Sequence, residues 1–188
     1  GADPALMRII NTTSPENEFF PCEAADIRRK LGLGPELKVF ATHGTIRPGK
    51  GYGRMLEWWQ DIAAAHPDWR LLVIGGAGGE AWLRHKIQGL GIEKSVLMTG
   101  WLPTHADVNR YLNAADVLLA LRRKSDDNEG IIPSVLYHNL ATGKPTVATG
   151  LPGIAEIVRD RVDGFLFDPE DDTAFRRALE YVVDHPEE

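Results

Sequence analysis

Residues 129–149 read EGIIPSVLYHNLATGKPTVAT and predict several structural elements in succession. An acidic loop is followed by an apolar helix over residues 132–142, and Gly143 and Pro145 form a typical helix stop. The β-branched residues within 146–149 then indicate a short buried strand. The segment therefore predicts a carboxylate that lies beside the N-terminus of a helix.

Such a helix N-terminus attracts anions through unpaired N–H groups and through the helix dipole. Pro133 and Ser134 mark its first turn, where proline is tolerated and where free N–H groups suit a distal phosphate. Glu129, in the preceding loop, instead suits hydroxyl groups. The two features side by side favour a ligand that carries both hydroxyls and phosphates, such as a sugar nucleotide.

The overall composition is that of one globular domain: 188 residues, of which 43% are hydrophobic and 26% charged. A net charge of -6 argues against a nucleic-acid-binding surface. Cys22 is the single cysteine, so no intramolecular disulfide forms and a cytoplasmic location is predicted. The sequence has no signal-peptide pattern and no apolar run near the ~20 residues that span a bilayer. Contact with a membrane is expected only at its inner face, through a missing partner domain.

Short apolar runs alternate with amphipathic segments along the chain. Strands are predicted at residues 38–42, 69–74, 95–99, 116–121, 146–149 and 164–167. Helices are predicted at residues 52–65, 80–90, 104–113, 132–142, 154–158 and 172–184. This alternation predicts an α/β fold with a parallel sheet and helices on both faces. The loops after the strands then meet at one edge of the sheet, where open α/β sheets bind ligands.

The first 22 residues differ from the rest of the sequence. Residues 7–10 are predicted as an edge strand, and residues 11–20 are polar and turn-rich, as in a connector that arrives from another domain. We therefore divide the chain into an interdomain connector, residues 1–22, and a ligand-binding domain, residues 23–188.

Taken together, these loops resemble the C-terminal domain of retaining GT-B glycosyltransferases of the large group 1 family. The landmarks are residues 20–21, 44–51, 72–76, 96–100, 111–116, 129–130, 141–149, 156–158 and 164–169. In that family two Rossmann-like domains face each other, and the C-terminal one binds the nucleotide-sugar donor. The resemblance implies one half of such an enzyme, with the N-terminal acceptor-binding domain missing from this chain.

The resemblance also implies a reaction. The whole enzyme would transfer a hexose, with retention, from a UDP-, GDP- or ADP-sugar to a sugar, lipid or polymer acceptor. No cofactor and no metal are expected, and the isolated domain is expected to transfer little or nothing. Six scattered histidines show no paired metal-ligand spacing.

The loop after the first strand is expected to hold the donor diphosphate. By resemblance Lys50 is a catalytic residue that stabilises charge on the leaving nucleotide, and Gly44 belongs to the same glycine-flanked loop. The family has an arginine directly after the equivalent glycine, whereas this chain has Thr45, and the nearest arginine is Arg47. Arg47 either reaches the same phosphate or is only exposed, and Lys50 is otherwise a solvated residue at a helix start.

The paired-glutamate motif of the family is matched only in its first half. Glu129 with Gly130 implies a catalytic glutamate beside the donor sugar. The second glutamate is expected at Tyr137 when counted forward from Glu129, and at His138 when counted back from Gly143. Neither side chain is acidic, and a neutral imidazole offers one donor and one acceptor where a carboxylate accepts twice. His138 is predicted to contact the ribose weakly, unless it is a surface histidine without a ligand.

Trp101 follows the third predicted strand, where the family meets the nucleotide base. It either stacks on the base or packs inside the protein. The other four tryptophans, which are predicted to be core or domain-interface residues, are Trp58, Trp59, Trp69 and Trp82. The glycine-rich turn at residues 75–79 lacks the spacing of a dinucleotide fingerprint and is interpreted as a permissive loop.

A second function remains open. The domain keeps the fold but lacks the family arginine at position 45 and the second glutamate, so it is alternatively a degenerate regulatory or interaction module. An epimerase on a related two-domain scaffold is the third interpretation.

Overall fold

The structure is a computed structural model that describes residues 18–47, 50–125 and 129–185. The strands in these ranges are β1 (Lys38–His43), β2 (Trp69–Ile74), β3 (Val96–Gly100), β4 (Val117–Ala120), β5 (Thr146–Thr149) and β6 (Phe165–Phe167). The helices are α1 (Ala25–Lys30), α2 (Tyr52–Ala65), α3 (Glu80–Leu90), α4 (His105–Asn113), α5 (Ser134–Ala141), α6 (Pro152–Ala155) and α7 (Ala174–Asp184). Across these ranges, no helix is both long enough and apolar enough to cross a bilayer.

Some sequence predictions fall outside the described residues. They include the edge strand at residues 7–10 and most of the connector at residues 11–20. Two residues of the predicted phosphate loop, Pro48 and Gly49, also lie outside the described ranges. The division of the chain at residue 22 stays a prediction.

The strands form one parallel sheet in the order β3-β2-β1-β4-β5-β6. The chain adds β2 and β3 on one side of β1 and then returns to its other side for β4. The loops after β1 and β4 therefore diverge and leave a crevice at the carboxyl ends of these two strands, which is the topological switch point of the sheet. The predicted α/β fold class is confirmed, and its crevice is the expected place for a ligand.

The two faces of the sheet carry separate apolar cores, because successive residues of a strand point to opposite sides. Phe40 of β1 packs on one face with Trp59 of α2 and Phe175 of α7. Its neighbour Ala41 packs on the other face with Tyr111 of α4. Helices cover both faces, and the packing role predicted for four tryptophans is confirmed by Trp58, Trp59, Trp69 and Trp82.

Several helices differ from the sequence prediction: α6 spans Pro152–Ala155 rather than residues 154–158, and α7 begins at Ala174 rather than at residue 172. The differences at α1 and α5 have clear physical reasons. Helix α1 was not predicted, since Ile27 is its single buried residue and one apolar position makes no periodic pattern. Helix α5 begins at Ser134 rather than at residue 132. Pro133 is its N-cap, with an extended ψ of 135°, and the residue before a proline is disfavoured in helical conformation.

Candidate functional site

The crevice between the β1 and β4 loops contains a small hollow, here called the switch-point hollow. Residues from four parts of the chain line it: the β1 loop, the start of α2, the end of β4 and the first turn of α5. They include Gly44, Thr45, Lys50, Tyr52, Arg122 and Val135. A larger cleft of about 520 Å³ adjoins it and shares Gly51, Leu121 and Arg122 with it.

The β1 loop is held by close contact with the β2 loop. The Gly44 N–H donates to the Ile74 carbonyl at 2.9 Å, and the Ile46 N–H donates to the Gly76 carbonyl at 2.8 Å. Gly75 has a φ of 126°, and a Cβ there would lie 2.2 Å from the Gly44 carbonyl oxygen. The glycine-rich turn predicted as a permissive loop therefore has a packing role: it lets the two loops touch.

Two cations line the switch-point hollow without an acidic partner. Neither Lys50 nor Arg122 forms an ion pair with any residue in the described part of the chain. Burial first, and then Arg122 and Arg47, lowers the pKa of Lys50, and burial lowers the pKa of Arg122. A partly desolvated cation with no counter-ion is unfavourable, so the hollow favours an anionic ligand. Arg47 itself is exposed at the edge of the loop.

The first turn of α5 approaches the same loop. The Val135 Cγ1 lies 3.5 Å from the position that a Cβ on Gly44 would occupy. Pro133 is buried and Ser134 is exposed, and no side chain of a described residue caps this helix N-terminus. The free N–H groups of a helix start thus lie at the same hollow as the two cations.

The turn at Glu129 and Gly130 lies against the start of α6. The Gly153 N–H donates to the Glu129 carbonyl at 2.8 Å, and a Cβ on Gly153 would lie 2.8 Å from the Gly130 carbonyl carbon. The Glu129 carboxylate has no hydrogen bond or ion pair with another described residue. Glu129 is not among the residues that line the switch-point hollow, so the structure brings Gly44, Thr45 and Lys50 together and places Glu129 on a neighbouring loop.

His138 is packed inside a cluster of rings. Its Nδ1 lies 3.1 Å from the Nε2 of His43, and its ring stacks on Phe19 at 4.0 Å. Burial, followed by the nearby His105, lowers the pKa of His138 to about 4, although Glu18 opposes this shift. The alternative interpretation as a surface histidine is wrong, whereas the expected contact with a ribose stays a prediction. At Tyr137, the other candidate for the second glutamate position, the hydroxyl is buried and has no hydrogen-bond partner in the part of the chain that the structure describes.

Trp101 directly follows β3, at the edge of the sheet where the strands have their carboxyl ends. Its side chain is 65% exposed, and its backbone nitrogen lies 3.2 Å from the position of a Cβ on Gly76. The expectation that Trp101 packs inside the protein is therefore wrong. Stacking on a nucleotide base stays a prediction.

Arg122 is the residue of the hollow that sequence reasoning missed. It lies two residues after the end of β4 at Ala120, at the sheet edge where ligand loops were expected, and that position was the available signal. His43, the last residue of β1, was missed as well, because nothing in the sequence links it to His138.

Comparison with known proteins identifies relatives of this domain. A family model described as "Glycosyl transferases group 1" matches residues 23–188. D-inositol 3-phosphate glycosyltransferase from Mycobacterium sp. (strain KMS) is 33% identical over 177 residues, covering 90% of this chain and 38% of the relative. The chain spans about two fifths of the length of the curated relatives that it matches.

Solved structures share the fold. The structure of Anabaena HepE in complex with UDP-glucose matches with a TM-score of 0.82 at 21% identity, over 100% of this chain and 50% of that one. The C-terminal domain of the group 1 family protein LpcC from Francisella tularensis matches with a TM-score of 0.73 at 21% identity, over 93% of this chain and 89% of that one. At these identities the likeness establishes the fold alone.

Proposed function

The chain belongs to the group 1 glycosyl transferases and has the Rossmann-like fold of a GT-B C-terminal domain, and from this premise we propose that it binds a nucleotide-sugar donor. The acceptor would be bound by the other half of the enzyme, an N-terminal acceptor-binding domain. The family supports a transferase, whereas the hexose, the retention of configuration and the class of acceptor are proposals. We also propose a cytoplasmic location, on the grounds of the single cysteine.

One observation carries this proposal: two cations that have no counter-ion among the described residues lie, together with a helix N-terminus, around one hollow at the switch point. Lys50, Arg122 and the start of α5 approach it from three different loops. A diphosphate carries negative charge on both phosphates, and oriented cations and helix N–H groups stabilise such charge. The nucleotide sugar is the class of ligand that joins a diphosphate to hydroxyl-bearing rings.

In the proposed reaction the bond between the sugar C1 and the diphosphate oxygen breaks, and a bond from C1 to an acceptor hydroxyl oxygen forms. The bonding electron pair leaves with the diphosphate, and the proton of the hydroxyl is released to solvent. Lys50 would stabilise the charge left on the diphosphate. Glu129 would lie beside the sugar and Trp101 beside the base, with Gly130 and Ser134 on the loops that enclose the donor. No metal is part of this proposal, because the cations and the helix start hold the phosphates.

The test is nucleotide binding by the 188-residue chain, measured by calorimetry and by NMR titration with UDP, GDP, ADP and UDP-glucose in the presence of EDTA. UDP-glucose is the first donor to try, because the Anabaena structure is a complex with it. We expect Lys50→Gln to weaken binding about tenfold, which corresponds to about 1.4 kcal/mol. Lys144→Gln is the matched control, since Lys144 precedes β5 at the opposite edge of the sheet. Absence of any response at millimolar nucleotide would refute the proposal.

Two observations favour the second candidate, a regulatory or interaction module without donor binding. Position 45 lacks the family arginine, and His138 bonds to His43 and stacks on Phe19 where a free carboxylate is expected. The double variant Thr45→Arg/His138→Glu separates the two functions. If the variant binds nucleotide and the parent does not, the parent is a degenerate module.

A further inference from the structure

We propose that Arg122, in the loop after β4, supplies the diphosphate-binding guanidinium that the group 1 pattern places at position 45. This inference rests on the proposed function and assigns a new residue to the same site. A guanidinium presents a planar fork of N–H donors that binds a phosphate through two hydrogen bonds, whereas lysine acts as a point charge. Lys50 would thus supply positive charge, and Arg122 would orient the phosphate through its two hydrogen bonds.

The sheet topology makes the exchange possible. β1 pairs directly with β4, with Phe40 opposite Val117 and Ala41 opposite Leu118. Neighbouring strands lie about 4.8 Å apart, so the loops that follow them begin side by side. Thr45 and Arg122 accordingly line the same hollow although 77 positions separate them in the chain. We therefore expect that a guanidinium on either loop can reach the space beside Lys50.

The surroundings of Arg122 distinguish it from the other cations nearby. Arg54 bonds to Asp172, and Lys124 lies 3.8 Å from Glu170. Arg122 is half-buried and has no acidic partner among the described residues. A long cationic side chain that is partly removed from water without a counter-ion indicates an anion that binds there.

The neighbours of Arg122 reinforce this conclusion. Lys50 is close enough for the two cations to repel each other. Burial raises the pKa of Tyr52 to about 12, although Arg122 opposes the shift, so the phenol stays neutral and supplies no counter-charge. Within the described residues the lining of the hollow therefore carries net positive charge.

The backbone of the β4 loop is fixed in place. The Arg122 N–H donates to the Thr149 Oγ1 at 3.2 Å, which ties the loop to β5. On its other side the loop packs on Gly51, where a Cβ would lie 3.8 Å from the Arg123 nitrogen and from the Leu121 carbonyl oxygen. Gly51 is the N-cap of α2 and has a φ of 83°. Arg122 thus extends from an anchored position, as a phosphate-orienting residue requires.

The experiment compares UDP and UMP binding by the parent chain, by Arg122→Gln and by the double variant Thr45→Arg/Arg122→Gln. We expect Arg122→Gln to weaken UDP binding at least tenfold and UMP binding much less, because UMP lacks the second phosphate. The double variant is expected to recover most of the lost affinity. Arg84→Gln, an exposed arginine of α3 with the same loss of charge, is the control and should bind as the parent does.

The outcomes separate the two proposals. If the parent binds none of the nucleotides, the proposed function fails. If the parent binds UDP and Arg122→Gln binds it as tightly as Arg84→Gln, donor binding stands and the role of Arg122 is overturned. If Arg122→Gln does not fold, as judged by circular dichroism, Arg122→Lys decides, since it keeps the charge and loses the fork. Parent-like UDP affinity in Arg122→Lys would refute a guanidinium-specific role.

Discussion

The stability of this domain should fall in mild acid because of the buried His43. Its Nε2 meets the Nδ1 of His138, and His105 is a further histidine nearby. Burial, followed by His138 and His105, lowers the pKa of His43 to about 3. An unfolded histidine has a pKa of about 6.5. Between these two pKa values His43 is protonated in the unfolded chain and neutral in the folded chain. Through His43, the free energy of unfolding therefore keeps its full value above about pH 6.5 and decreases as the pH falls below it.

The magnitude follows from the width of that window. At a pH 1.5 units below the pKa of the unfolded histidine, His43 alone lowers the free energy of unfolding by about 2 kcal/mol, at about 1.4 kcal/mol per pH unit. His138, whose pKa is lowered to about 4, adds a loss in the same direction. Two kcal/mol is a large share of the stability of a typical domain.

Urea denaturation followed by tryptophan fluorescence, at several pH values from 7.5 to 5.0, measures this loss. His43→Gln places an amide near the position of Nε2 and removes the titrating ring. We expect its free energy of unfolding to decline by about 2 kcal/mol less than that of the parent over this range. His85→Gln, on the exposed surface of α3, should decline as the parent does. Equal declines in His43→Gln and the parent, within about 0.5 kcal/mol, would refute the reasoning.

Further substitutions test the packing. Gly75→Ala should displace the Gly44 carbonyl, whose oxygen lies 2.2 Å from the new Cβ. We expect it to lower the free energy of unfolding by about 1–3 kcal/mol and to weaken UDP binding. Gly78→Ala, whose new Cβ has no described atom within 4 Å, should retain that binding. Trp59→Ala should lower the free energy of unfolding by about 3–5 kcal/mol in urea, because the side chain is fully buried, and a loss under about 1 kcal/mol would contradict this packing. Thr104→Ala should lower the thermal midpoint through a loss of about 1 kcal/mol, since Thr104 caps α4, with Thr104→Ser restoring it.

The sequence predicted most of the sheet and its helices because local signals were complete there. The helix bounds Tyr52–Ala65 and Glu80–Leu90 and the strand bounds Trp69–Ile74 and Thr146–Thr149 match the predicted ranges. These two strands are buried almost throughout and are rich in aliphatic or β-branched residues. Helix α1 gave no such signal, because its single buried residue, Ile27, makes no periodic apolar pattern.

The sequence predicted those site residues that share one loop, but not the residues that other loops bring to the site. Sequence position placed Gly44, Thr45 and Lys50 in one loop, and the structure keeps them together. The approach of Arg122 depends on the pairing of β1 with β4, which is tertiary information. In the same way, residue counting found His138 but not the His43 ring that bonds to it.

The ring cluster joins the entry of the chain to the crevice. Phe19 stacks on His138 at 4.0 Å, His138 bonds to His43, and His43 is covalently linked to Gly44. Glu18 is also paired with His105 of α4. A sideways shift of the backbone at Phe19 therefore either breaks the stack on His138 or displaces Gly44, the first residue of the loop after β1. The path of the chain at Phe19 is in this way mechanically coupled to the shape of the crevice.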